Sequence, residues 1–440
     1  MGGDVLDDII RAMSLVLDFD EKKKLQHAWR VAVIAQKIAE TMGFGDSAMM
    51  YYAGLLHDIG AVGIRDHIVH HIERGELTEA VRNHGRVGAE ILRSCRPFRK
   101  GVALWIEDHH ERFDGTGFPE GKRGDQISTG GAILHLADMV EIRLRSVAHG
   151  ASLNETAAAY IKKRIGTFWP EEIADAGLRV LEKFPTLLDE CYDDAMLEKW
   201  VFEISPNLVI STDDRCPDGI EQIIGFLMLF ARIIDAKHNY TFGHSVRVFL
   251  YLREIVNGVT DWDGKKPTDW EIATAGLLHD AGKVGVPRDI LDKEGHLNRE
   301  EVAVIRRHVE ATDEIVSGIR ALAHLAPVVA AHHENFDGSG YPAKTSGNEI
   351  PLLGRMLAIA DSYDAMTSDR AYRMRLPHDV AVARLRKGNG TQFDPDLIET
   401  AVAALDAMEP ITPRTLHRLP FHGDAYADEK ANADKTDRAS

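Results

Sequence analysis

Apolar residues recur along this chain with a helical period. Ile223, Leu227 and Phe230 step by four and three towards Ile234, and Ile398, Val402 and Leu405 do the same further on, which lines them along single helix faces. Start signals agree. Ser152 with Glu155 and Asn298 with Glu301 have capping-box spacing, while strictly alternating stretches are scarce. The pattern predicts an all-α protein. The longest apolar run, Ile223 to Ala231, stops at Arg232, well short of the roughly 18 residues that a membrane span requires.

The chain also repeats itself. LLHDIG at 55–60 matches LLHDAG at 277–282, and HHERFDGTGFP at 109–119 matches HHENFDGSGYP at 332–342. LHLADMVE around Asp138 pairs with LAIADSYD around Asp361, and GTFW from Gly166 with GTQF from Gly390. The spacing is kept too, because 28 residues separate His110 from Asp138 and His333 from Asp361. Two copies of one module of about 200 residues are expected, a normal domain size. The expected bounds are 1–203 for the first, 204–219 for a linker rich in Pro, Gly, Ser and Asp, 220–410 for the second, and 411–440 for a polar, disordered tail.

Charge narrows the partners. With 52 Lys and Arg against 69 Asp and Glu the formal net charge is −17, which argues against a nucleic-acid polymer or an anionic membrane as partner. An anionic ligand would need local positive charge. Cys95, Cys191 and Cys216 form no CxxC pair and suit a reducing compartment, and the acidic start MGGDVLDDII lacks the basic residues of an export signal. A cytoplasmic location is expected.

The second copy concentrates histidine and aspartate: His244, His279 with Asp280, His308, His332 with His333, and Asp361. Leu357 and Ala358 precede Asp361 by four and three positions, and Val328 and Val329 precede His332 likewise, so in helices these polar groups project from apolar faces. A carboxylate buried there costs several kcal/mol unless it is paired or binds metal. A lone histidine on such a face is ordinarily a core residue. The whole set recurs in both copies, however. Five imidazoles and two carboxylates without a thiolate suit two divalent transition metals, with Fe or Mn favoured over structural zinc.

The second copy closely resembles the HD-GYP branch of the HD-domain metal-dependent phosphohydrolases, bacterial enzymes that hydrolyse the second messenger cyclic di-GMP. The resemblance runs from DAKHNYTFGHSVRV at 235–248 through LLHDAGKVGVPRDIL, HHENFDGSGYP and DSYDAMTSDRAYR to GTQFDP at 390–395. It implies His244, His279, Asp280 and Asp361 around one metal and Asp280, His308, His332 and His333 around the other, with Asp280 as the bridge. It implies a catalytic role for Asp280 and Lys283, with Lys283 near the scissile phosphate and Arg370 and Arg373 on the phosphates. Gly338, Gly340, Tyr341 and Pro342 form the signature loop. In the family this loop shapes the substrate pocket and offers a surface to signalling partners; the plainer reading is a tight turn that needs glycine.

The first copy keeps every matching ligand position, namely His27, His57, Asp58, His84, His109, His110 and Asp138, and so is a second candidate metal site. It lacks the cations: Ala61 stands for Lys283, Val147 and Gly150 for Arg370 and Arg373, and Phe118 for Tyr341. It is read as a regulatory, sensory or dimerising module. His67, His70 and His71 are read as solvated residues of a polar loop. The leading function is a phosphodiesterase that opens cyclic di-GMP to linear pGpG, with 3′,3′-cyclic GMP-AMP as the alternative substrate and a non-catalytic receptor or scaffold as the rival class. A nucleoside triphosphohydrolase is disfavoured by the GYP segment. Tyr240 stands four residues before His244, where family members with a third metal carry glutamate, so two metals and a single cleavage are expected.

Overall fold

A computed structural model describes residues 5–20, 23–24, 26–61, 64, 68–93, 95, 97–147, 151–206, 217–236, 243–260, 262, 265–291, 293, 295–369 and 374–411. Helices carry nearly all the regular structure, in line with the apolar periodicity. Among the described residues the strands amount to one two-residue pair, Phe19–Asp20 antiparallel to Lys23–Lys24. No described helix is long and apolar enough to cross a membrane.

Contacts divide the chain into two compact units that follow the repeat, with differences from the expected bounds. The opening helix, Val5–Leu17, groups as far as Val16 with the second copy, although chain position had assigned it to 1–203. Leu6, Ile9, Ile10 and Met13 are fully buried, and so are the polar Asp7 and Ser14. A helix covered on every side belongs inside a core, not on its surface. Its buried carboxylates Asp7 and Asp8 both pair with Arg11 one turn on, and the charge of Arg320 in the second copy also acts on Asp8. The expected linker overlaps the helix Pro217–Ala236, and the expected tail beyond residue 411 lies outside the described residues.

Both units share one plan. In the first, helix His27–Met42 packs against Ser47–Leu56, Thr129–Leu144 and Glu171–Lys183; in the second, His244–Gly258 packs against Asp269–Leu278, Leu352–Thr367 and Ile398–Ala407. Val31, Ala32 and Ala35 in one central helix, and Val248, Leu252 and Ile255 in the other, are fully buried. Each large apolar side chain so buried stabilises its unit by roughly 1.5–3 kcal/mol.

The turn after each His-Asp pair depends on glycine. A Cβ on Gly282 would fall 2.1 Å from the carbonyl oxygen of His308, and one on Gly60 would fall 2.0 Å from that of His84. Glycine therefore lets the turns Ala281–Gly285 and Ile59–Ala61 lie directly on the helices His308–Gly318 and Glu79–Arg93. That approach sets the HD dipeptide beside the next histidine of its set.

Candidate metal centre

The second copy draws its candidate ligands from five places. His244 opens one helix, His279 and Asp280 end another, His308 opens a third, His332 and His333 close the short 3₁₀ turn Ala331–His333, and Asp361 lies inside Leu352–Thr367. Asp280 sits in the middle. Its Oδ2 lies 3.3 Å from His244 Nε2 and 3.2 Å from His279 Nε2, while its Oδ1 lies 3.3 Å from His308 Nε2 and 3.8 Å from His332 Nε2. Asp361 Oδ1 joins the first group at 3.4 Å from His244 Nε2. His333 joins the second, in which the ligand atoms of His308, His332 and His333 lie within 4.8 Å of one another.

Backbone carbonyls aim these rings. The Nδ1–H groups of His279, His308 and His332 donate to the carbonyls of Gly276, Ile305 and Val329, each three residues back. A carbonyl can only accept, so the proton is on Nδ1 and the Nε2 lone pair points inward. Nε2 of these three histidines and Oδ1 of Asp280 are buried without a hydrogen-bond partner. Buried acceptors left so are costly, and a converging set of them fits divalent cations.

His244 is aimed differently. Its Nδ1 lies 2.7 Å from Asp364, whose carboxylate also accepts from Arg247 Nε at 2.6 Å. Burial opposes charge on Asp364, yet the hydrogen bond and charge of His244, with Arg247, hold it below the usual carboxylate range. Burial likewise opposes charge on Asp280, and Lys283, His279 and the His244 hydrogen bond outweigh it. Burial and the charge of His279 push His332 down to about 3, which keeps the ring neutral, with its proton on Nδ1 and a lone pair on Nε2.

The first copy repeats this geometry. His57, His84 and His109 donate from Nδ1 to the carbonyls of Gly54, Val81 and Ile106. Asp58 lies between groups again, with Oδ2 3.2 Å from His57 Nε2 and Oδ1 3.4 Å from His84 Nε2. His27 Nε2 is 3.2 Å from Asp138, and His110 completes the trio with His84 and His109. Glu141 takes the place of Asp364, accepting from His27 and from Arg30.

The HD-domain family pattern matches residues 25–142 and again 228–397. A 3′3′-cGAMP-specific phosphodiesterase 3 of Vibrio cholerae serotype O1 is 30% identical, over 79% of this chain and 71% of its own length. The chain belongs to the HD-domain family, in its HD-GYP branch. A cyclic di-GMP phosphodiesterase of Pseudomonas aeruginosa is 38% identical over 39% of this chain and 41% of its own. The crystal structure of a cyclic GMP-AMP specific phosphodiesterase of Vibrio cholerae has the same fold, with a TM-score of 0.61 at 24% identity over 92% of this chain and 98% of that one.

Within the HD modules some working residues escaped the sequence reading. Asp364 and Glu141 each lie three residues after the module's last candidate ligand aspartate, and Arg247 and Arg30 each lie three residues after its first histidine, so the repeat itself held the signal. Asp364→Asn keeps the size but removes the charge that orients His244. The expected outcome is about 10–100-fold weaker metal retention against a chelator, with helix content unchanged; wild-type retention would show that the Asp364 contact does not support the ligand.

Glu334 was also missed. Its carboxylate accepts the backbone N–H groups of Ala343 and Lys344 and so closes the signature loop, as Glu111 does with Glu120, Gly121 and Lys122. A Cβ on Gly340 would fall 2.3 Å from the nitrogen of Asn335, which makes glycine the residue that fits there. Tyr341 then stacks on His333, ring centroids 4.8 Å apart, under the guanidinium of Arg306 at 4.5 Å. Lys283 pairs with Asp280. Arg370, Arg373, Tyr240, Gly150 and His67 lie outside the described residues. His70 and His71 are on a helix, Ile68–Arg74, where a loop had been expected; buried Ile68 and Val69 anchor it, and the two histidines face Glu73 and Glu76.

Proposed function

We propose that this chain is a metal-dependent cyclic dinucleotide phosphodiesterase whose second HD module is catalytic and whose first is regulatory. The observation that supports this division is the lysine at the metal centre: Lys283 reaches Asp280 in the second module, and Ala61 leaves that place without a cation in the first. The set around Asp280 would hold two metals, iron or manganese by its nitrogen and oxygen donors, which when bound activate water and stabilise charge on a phosphoryl oxygen.

The chain's own groups do the rest. Asp280 stays ionised despite burial and can face both metal positions at once. Lys283, half-buried beside it, can turn its ammonium to the scissile phosphate. Burial raises the phenol of Tyr341, so it stays protonated at neutral pH and can donate a hydrogen bond. The buried free thiol of Cys191 supports action in the reducing cytoplasm.

Cyclic di-GMP is the leading substrate, supported by the identity of part of this chain to enzymes named for it. The second reading, 3′,3′-cyclic GMP-AMP, is supported by two Vibrio cholerae relatives named for that nucleotide, each matching 79% of this chain. The test offers both nucleotides and dGTP to protein loaded with iron or manganese under reducing conditions, with products separated by chromatography. Turnover of dGTP alone would overturn the proposal. From cyclic di-GMP, linear pGpG is expected to accumulate, because the opened product gains a terminal phosphate charge and no longer matches a pocket shaped for a ring. GMP formed as fast as substrate disappears would refute single cleavage.

A further inference from the structure

The first HD module lost three cations of the substrate site, yet it holds two others where the second module has none. Aligned on the repeated motifs, Arg112 replaces Asn335, Arg164 replaces Gly388, Phe168 replaces Gln392 and His135 replaces Ala358. These replacements touch one another. The Arg112 guanidinium lies 4.1 Å from the centroid of Phe168, and that of Arg164 lies 5.1 Å from the same ring. His135 stacks on Phe168 at 5.7 Å and 20°, and its ring is 6.2 Å from that of His110 in the candidate metal cluster. Four coordinated changes thus build a cationic, aromatic corner against the metal histidines.

The corner feels the carboxylate of Asp114 through its charge alone. Among the described residues neither Arg112 nor Arg164 makes an ion pair, and Arg164 has one long hydrogen bond, to the carbonyl of Tyr160 at 3.4 Å. The nearby carboxylate of Asp114 accepts instead from the backbone and hydroxyl of Thr116. Arg112 and Arg164 are both half-buried. His135 is 1% exposed and its Nδ1 has no hydrogen-bond partner. In the second module the same positions are neutral and internally satisfied: Asn335 donates to Ser339 and Gln392 to Ser362.

We propose that Arg112 and Arg164, gathered on Phe168 beside His135, form an anion site in the first HD module that takes the phosphate group of a small phosphorylated ligand. Two guanidiniums match the geometry of phosphate oxygens better than ammonium groups would. Phe168 is already covered by cations and imidazole, so recognition runs through the anionic group and not through base stacking. This site is separate from the substrate site of the second module and does not depend on its catalysis.

The test compares the full chain with a variant carrying Arg112→Asn and Arg164→Gly, the residues found in the second module. His279→Ala and Asp280→Ala are present in both proteins, so that no probe is hydrolysed. Inorganic phosphate, GMP and linear pGpG are titrated by calorimetry, with acetate as the carboxylate control. At least one phosphate probe is expected to bind about tenfold or more weaker to the variant, and the probe that responds identifies whether bare phosphate or a nucleotide is the source. Equal binding of all three probes to both proteins would overturn the proposal, as would equal loss of acetate and phosphate. If the double variant is poorly folded, Arg112→Gln and Arg112→Lys are compared instead: the lysine variant should retain part of the affinity. A fall in melting temperature with unchanged affinity would show a purely structural corner.

Discussion

Asp280→Asn is expected to empty the second HD module of metal and to abolish most turnover with it. The reason is the position of this carboxylate, whose two oxygens are turned to different histidine groups at 3.2–3.8 Å. Asparagine keeps the shape but removes the negative charge that two divalent ions would share. Metal in such sites supplies several kcal/mol of transition-state stabilisation, so its loss should slow turnover by about 10³-fold or more. Elemental analysis and initial rates are read on the same preparation, with helix content by circular dichroism. Two metals and a wild-type rate in the Asn variant would show that Asp280 is not the bridge.

The second large effect separates the modules. His279→Ala with Asp280→Ala should eliminate phosphodiesterase activity, while His57→Ala with Asp58→Ala should leave most of it. Both pairs sit at equivalent places in the repeat, beside Gly282 and Gly60, so steric disturbance is matched. What differs is the charge available to a phosphate. Removing charge stabilisation of a phosphoryl transition state costs about 10²–10³-fold in rate. Comparable losses from the two double variants would mean that both modules turn over substrate, and a loss confined to the first would reverse their roles.

Much of this arrangement was legible in the sequence because the chain states it twice. A single His on an apolar helix face is uninformative, but seven matching positions with equal spacing between His110 and Asp138 and between His333 and Asp361 point to one shared geometry. The side chains that cluster are those the repeat picks out. Helical periodicity was enough for the fold class, since the apolar steps at Ile223 and Ile398 fall in helices. Other features depend on partners distant in sequence. Asp364 reads as an ordinary helix carboxylate until His244, 120 residues earlier, is seen donating to it. Arg112 and Arg164 read as surface charge until Phe168 gathers them. The opening helix was misassigned because position along the chain says nothing about which core buries a helix.

That helix imposes an order on the making of the protein. It leaves the ribosome before the first HD module, yet the unit it belongs to begins again only beyond residue 207. At about 5–20 residues per second the segment waits on the order of 10–40 s before its partners begin to be synthesised. During that interval Leu6, Ile9, Ile10 and Met13 have no permanent cover, while the first HD module can already fold. The second module is therefore closed by a segment made before the first, and its assembly becomes a check that translation has run through both modules. A fragment cut at the apparent linker would keep the metal ligands but lack a piece of its own core.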